Sequence, residues 1–211
     1  NAAASLGTLI HAVAEEHPHG TPEELTEALE ARIEELGYNL DTWAGRHSDR
    51  RARAIVENLA SYLVGVPGRV DVEQKVEAQV EGVTIRGRMD RLEYVDEGVR
   101  VTDLKTGSNP DPYRKVDENA QLAAYQLALL ASGEDVAGAR IALLGTKKKP
   151  QTFDQKPLRG EALAQWRNKV REVAESARGP YFEARPSDAA CAYCSFDRLC
   201  PARERGHKVV E

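Results

Sequence analysis

The sequence predicts a mixed α/β domain, and three observations carry that reading. Apolar residues recur at helical spacing as far as Val64. β-branched residues with partial alternation then dominate residues 70–104. A helical Ala/Leu stretch, a short apolar run and a further helix follow. Helices, an antiparallel meander, a helix, a strand and a helix make a mixed α/β domain.

Each element has its own signal. Leu6, Leu9, Ile10 and Val13 fall at i, i+3, i+4 and i+7, so residues 5–16 read as a helix. Thr21-Pro22-Glu23-Glu24 is a capping box with Pro at the first helical position. It starts a helix expected to run to Leu36 and to stop at Gly37. Ile55, Leu59 and Leu63 share one face of a third helix, expected over Ser48–Val64. Pro67-Gly68 marks a turn. Strands are expected near 70–80, 83–95 and 99–104, joined around Val80-Glu81-Gly82 and Asp96-Glu97-Gly98. Residues 118–131 predict a helix, Ala139–Leu144 a buried strand, and 158–177 a helix. An irregular tail carries all the cysteines. One domain is expected over 1–211, with a helical part at 6–65, a core at 66–178 and the tail at 179–211.

Composition narrows the function. The chain has 211 residues, 41% apolar and 30% charged, which suits a soluble globular protein and excludes disorder. No apolar run approaches the roughly 18 residues of a membrane span, and no secretory signal opens the chain, so a cytoplasmic protein is expected. The net charge of −5 argues against nonspecific coating of nucleic acid but leaves room for a basic groove. Three cysteines within one short segment suggest a metal or cluster site rather than a disulfide framework.

The chemistry concentrates in two adjacent strands. Asp103 and Lys105 lie two apart, so both side chains leave the same face while Leu104 enters the core. If the strands pair as a hairpin, Asp90 lies beside Asp103. A two-residue loop places the two directly opposite, whereas a three-residue loop with a bulge at Gly98 shifts the register by one. Two carboxylates at one sheet end suit a hard divalent cation, which polarises a phosphoryl oxygen and activates water. A neighbouring lysine offsets developing negative charge. Alone, an Asp-x-Lys strand reads as a surface salt bridge. The preceding Gly-Arg-x-Asp strand at hairpin distance is what favours the chemical reading.

Gly87-Arg88-Met89-Asp90-Arg91, then Asp103-Leu104-Lys105-Thr106-Gly107, then Gln121-Leu122-Ala123-Ala124-Tyr125 resemble the core motifs of RecB-type nucleases of the PD-(D/E)xK superfamily. Leu6-Gly7-Thr8-Leu9-Ile10-His11 resembles that family's upstream helix motif, and Cys191-x-x-Cys194-x5-Cys200-Pro201 its iron–sulfur staple. The motifs stand in family order across residues 6–201, most like the nuclease domains of AddB- and AdnB-type helicase–nuclease subunits. The resemblance implies a restriction-endonuclease-like mixed β-sheet core flanked by helices. It implies that His11, Asp90, Asp103 and the Leu104 carbonyl bind a catalytic Mg²⁺ or Mn²⁺, and that Lys105 is the catalytic lysine. It further implies that Gln121 and Tyr125, one turn apart on a helix, orient Lys105 and contact DNA phosphate. The implied activity is metal-dependent hydrolysis of DNA, on single-stranded ends, beside a helicase motor and partner subunit in double-strand break repair. Two other readings stay open: a catalytically silent DNA-binding module, and a stand-alone single-strand exonuclease of the CRISPR-adaptation type.

The cysteines depart from the family pattern. A 4Fe–4S cluster takes four cysteines, and Cys191, Cys194 and Cys200 supply three. The resemblance places the fourth upstream of the Leu6 motif, so a cluster is expected in a longer parent protein and not in this chain. Completion by another ligand, zinc, and free thiols are the alternatives. Basic runs at Arg46–Arg53, including Arg50, Arg51 and Arg53, and at Lys147, Lys148 and Lys149 read either as solvated surface or as phosphate contacts.

Overall fold

The computed structural model describes residues 2–35, 41–66, 68–179, 184–192, 194–196, 199–200 and 202, with the side chains of 2–5, 189 and 190 left aside. The expected helix stop at Leu36 and Gly37, the turn residue Pro67, and Pro201 of the cysteine motif lie outside them. The chain divides into two compact units, Asn1–Val170 and Arg171–Glu211.

The first unit opens with α1 (Ala2–Glu16), α2 (Pro22–Glu35) and α3 (Trp43–Val64). The capping box forms as its sequence requires: the Thr21 N–H donates to Glu24 Oε2 at 2.8 Å and the Glu24 N–H to Thr21 Oγ1 at 3.2 Å. Helix α3 begins five residues before the expected Ser48. Thr42, in extended conformation, accepts from the Gly45 N–H at 3.0 Å and caps it there. The cap was overlooked because its first turn, Trp43-Ala44-Gly45, adds nothing to the apolar face.

The sheet follows: β1 (Val70–Val80), β2 (Val83–Val95), β3 (Gly98–Lys105), β4 (Val136–Leu143) and β5 (Gln151–Gln155), hydrogen-bonded in that order. β1, β2 and β3 form the expected antiparallel meander. Pairing of Val95 with Gly98 selects the two-residue loop, and the ladder runs back to Arg91 opposite Thr102. Helix α4 (Ala120–Ala131), capped by Asn119, connects β3 to the parallel β4. β4 begins at Val136, three residues earlier than expected. β5 was not expected, because Gln151-Thr152-Phe153-Asp154-Gln155 has one apolar residue and lies at the sheet edge. Helix α5 (Gly160–Arg178) completes the expected order. In the second unit the cysteine segment contains one short helix, α6 (Asp188–Cys191).

Helices cover both sheet faces. Ile10, Leu25, Leu29, Ile55 and Leu59 of α1–α3 pack with Leu104 and Ala142. On the other side Leu122 and Ala128 of α4 pack with Met89, Val101 and Ile141, while Leu163, Trp166 and Val170 of α5 rest on Ala123 and Leu127. This is the mixed β-sheet core flanked by helices of the restriction-endonuclease-like fold.

A polar network crosses the α1–α3 side of the core. Glu93 is fully buried, accepting from Tyr62 at 2.6 Å and from Arg100 at 2.9 Å, with Arg91 at 3.4 Å. The Thr102 hydroxyl lies 3.3 Å from the Tyr62 oxygen, which can accept its proton, and Arg91 donates to the Pro18 carbonyl at 3.0 Å. Burial and the adjacent Glu93 carboxylate raise the Tyr62 pKa far above the ordinary phenol value, so its proton stays on to donate. Replacing Tyr62 with Phe should therefore destabilise the fold by about 1–3 kcal/mol, the cost of leaving a buried acceptor short of its donor. Urea denaturation of Tyr62→Phe against wild type measures it, and a midpoint within error of wild type would contradict it.

Candidate active site

Beyond Arg91 and Thr102 the β2–β3 ladder ends, although both strands continue. β3 lies at the centre of the sheet, so its groups facing β2 there need other partners. The Leu104 N–H donates to Asp90 Oδ2 at 2.7 Å, and His11 Nε2 lies 3.1 Å from the Leu104 carbonyl. On the other edge of β3, the Lys105 carbonyl accepts from the Leu144 N–H of the β4 side. The Leu104 side chain is buried, as expected, while its peptide edge faces Asp90 and His11.

His11 Nδ1 lies 3.4 Å from Asp90 Oδ1 and 4.0 Å from Glu73 Oε1. One ligand atom from each of His11, Glu73 and Asp90 falls within 4.8 Å of the others. Sequence reasoning missed Glu73. It sits between Val72 and Gln74, which pair with Arg91 and Met89, so β1 places it level with Asp90. Its φ of 51° departs from extended backbone within the continuous strand β1, and Arg88 binds its Oε2. The signal was available in the sequence: a strand pairing with the Gly-Arg-x-Asp strand carries a carboxylate at the register of Asp90.

Asp103 stands outside this trio. It is 4% exposed, and its Oδ2 lies 2.8 Å from Lys105 Nζ. Apart from that ion pair Oδ2 has no hydrogen-bond partner among the described residues. Burial raises the Asp103 pKa and the nearby Asp90 adds to this, while Lys105 and His11 oppose. Burial works against the Lys105 charge, but Asp103 outweighs it and holds the ammonium proton above its ordinary pKa.

Gln121 and Tyr125 lie on one helix face, as expected. Gln121 Nε2 is 3.3 Å from the Tyr125 hydroxyl, which donates to the Arg88 carbonyl at 2.8 Å. The pair therefore fastens α4 to the strand carrying Asp90. Gly87 makes the room, since a Cβ there would come within 2.8 Å of the Tyr125 ring.

The basic runs border the same sheet end. β3 and β4 are parallel, with Lys105 opposite Leu143, so exposed Lys147, Lys148 and Lys149 leave from beside Thr106. Gly145 allows this close approach: a Cβ would lie 2.3 Å from the Thr106 and Gly107 carbonyl oxygens. Asn58 of α3 donates to the Leu144 and Thr146 carbonyls at 2.7 and 2.9 Å. Arg51 is exposed and donates to the Thr106 carbonyl at 3.4 Å. Arg53 instead pairs with Asp49 and Glu30 at 3.1 and 2.8 Å. None of the three cysteines is in a disulfide; Cys194 is exposed and Cys191 and Cys200 partly so.

The donor set fits a divalent cation. One imidazole and two carboxylates converge on a cleft also lined by Gly7, Thr8 and Arg88, and the buried Asp103 carboxylate feels the charges of Asp90 and His11. Mixed N/O sets of this kind accept Mg²⁺ or Mn²⁺.

The family model of the PD-(D/E)XK nuclease superfamily matches residues 1–201. The chain belongs to that superfamily. It is similar to the Gene 69 protein of Mycobacterium phage D29, 27% identical over 92% of this chain and 83% of that protein. It is also similar to the Gene 69 protein of Mycobacterium phage L5, 26% identical over 62% of this chain and 44% of that protein. A solved structure from Eubacterium rectale, described as "Putative exonuclease", shares the fold with a TM-score of 0.51, covering 92% of this chain and 80% of that one at 14% identity.

The proton linkage of His11 is testable. Its hydrogen bond to Asp90 raises the imidazole pKa above 6.5, with burial opposing and the Asp90 and Glu73 charges assisting. A raised folded-state pKa means the stabilisation is fully present below 6.5 and lost as pH rises through the raised value. In chelator, wild type should exceed His11→Asn in stability below pH 6.5, and the difference should shrink as pH rises through the raised value. A pH-independent difference in urea midpoints would contradict it.

Proposed function

We propose that this chain is a metal-dependent deoxyribonuclease that hydrolyses phosphodiester bonds at single-stranded ends. The observation that carries this reading is the convergence of His11, Glu73 and Asp90 beside the Asp103–Lys105 ion pair at one sheet end. His11, Asp90 and Glu73 hold the cation, assisted by Asp103 and the Leu104 carbonyl. When bound, the cation supplies Lewis acidity to the phosphoryl group and lowers the pKa of water. Lys105, paired with Asp103, offsets negative charge on the phosphoryl oxygens. Gln121 and Tyr125 hold the Asp90 strand in place through Arg88. Lys147–Lys149, Arg50 and Arg51 attract the phosphate backbone at the site's edge.

The end-directed mode comes from the family resemblance and from the description of the E. rectale protein. A helicase motor, a partner subunit and a role in break repair come from the motif order alone. A 4Fe–4S cluster on Cys191, Cys194 and Cys200 comes from the family resemblance, and iron and acid-labile sulfide analysis tests it. The intact Asp103–Lys105 pair favours catalysis over a silent DNA-binding module.

Asp103→Ala and Lys105→Ala should each lower cleavage of end-labelled single-stranded DNA in Mg²⁺ or Mn²⁺ by about 100-fold, the scale for losing one preorganised charge. Wild-type turnover in either variant rejects the assignment. Glu73→Gln should weaken Mn²⁺ binding by about tenfold or more in a calorimetric titration, because a carboxylate ligand becomes neutral. Unchanged affinity removes Glu73 from the ligand set.

A further inference from the structure

Helix α3 carries a row of side chains that the proposed chemistry does not use. Trp43, His47 and Arg51 recur at i, i+4 and i+8, so they share one helix face, and Arg50 adjoins it. All four are exposed, and Trp43 is 72% exposed. The Trp43 and His47 rings stack with centroids 5.4 Å apart and planes within 10° of parallel. At the other end of the row Arg51 donates to the carbonyl of Thr106, the residue after Lys105. Asn58, two turns beyond Arg51 on the same face, fastens the loop that bears Lys147–Lys149. The row therefore begins at the catalytic strand end, passes two arginines and finishes on a flat pair of rings.

We propose that the Trp43–His47 pair is a stacking platform for unpaired bases of the DNA strand held in the active site, with Arg50 and Arg51 contacting the phosphates between. This rests on the reading of the site as a nuclease for single strands. The occupant follows from chemistry. A face of rings and guanidinium groups on a chain of net charge −5 complements a polyanion that also offers π-faces. The dimensions agree. Trp43 lies about 12 Å along the helix from Arg51 at 1.5 Å per residue. That span takes about three to four stacked nucleotides at roughly 3.4 Å each. In a duplex the bases are paired inward, so the platform also selects single strands.

The experiment uses intrinsic fluorescence. Trp166→Phe leaves Trp43 as the sole indole, since the chain has two tryptophans. This protein is titrated in chelator with an oligothymidylate of about twelve nucleotides, within the span that such grooves cover. It is titrated in parallel with an abasic strand of equal length and with a duplex. Trp43 emission should be quenched by the oligothymidylate and by neither comparator. Trp43→Ala should weaken oligothymidylate binding about 5- to 100-fold and erase the preference over the abasic strand, whereas Trp43→Phe should keep it. Melting curves confirm that both variants are folded.

Equal binding of oligothymidylate by wild type and Trp43→Ala overturns the platform, as does equal quenching by duplex. Quenching that follows protein concentration rather than added strand shows that a second copy covers the ring, and also overturns it. Failure of the nuclease reading is seen separately, as no cleavage by the wild-type chain in Mg²⁺ or Mn²⁺. Strand-dependent quenching would still decide the platform.

Discussion

The site is organised by one hydrogen bond, from the Leu104 N–H to the Asp90 carboxylate. Where β2 and β3 stop pairing, a central strand is left with an unmet donor and acceptor, and burying such groups unpaired is costly. Asp90 takes the donor, and His11 approaches the acceptor. Satisfying the backbone and gathering ligands are thus the same arrangement. Asp103 and Lys105 flank Leu104 in β3 and form an ion pair at 2.8 Å.

The position of that gap depends on the layer behind it. Arg91 follows Asp90 directly and is 1% exposed, and Glu93 is buried completely. Their bonds to Tyr62, Arg100 and Pro18 tie β2 to α3, β3 and the loop after α1. A buried charge of this kind tolerates the loss of a partner badly, so the network fixes which residue of β2 stands at the gap. On the opposite side Tyr125 fills the space left by Gly87 and grips the Arg88 carbonyl. Asp90 is held from both sheet faces while its own oxygens stay turned toward the cleft.

Much of this was legible in the sequence. The capping box, the period of α1 and α3, and the alternation of the meander located most of the elements, because each depends on local geometry. The hairpin midpoint put Asp90 beside Asp103, and the Val95–Gly98 pairing selects the two-residue loop. What escaped were features set by tertiary contacts. The early start of α3 depends on Thr42 as a cap and not on the apolar face. β5 is an edge strand with almost no apolar signal. Glu73 enters the site because β1 pairs with β2 and its backbone turns to a positive φ at that position. The arginines of 46–53 read as one basic run, but Arg53 is held by two carboxylates while Arg51 donates to the Thr106 carbonyl just after β3.

The central claim is that the gap between β2 and β3 is a cation site made by His11, Glu73 and Asp90, with Asp103 and Lys105 at its side. Diffraction from crystals of the chain soaked in Mn²⁺, collected for anomalous signal, tests it most directly. The account predicts one strong peak within direct ligand distance, roughly 2.0–2.3 Å, of a His11 nitrogen and an Asp90 oxygen. A fully occupied peak elsewhere, with His11 still bound to the Leu104 carbonyl and the three side chains unmoved, would contradict it.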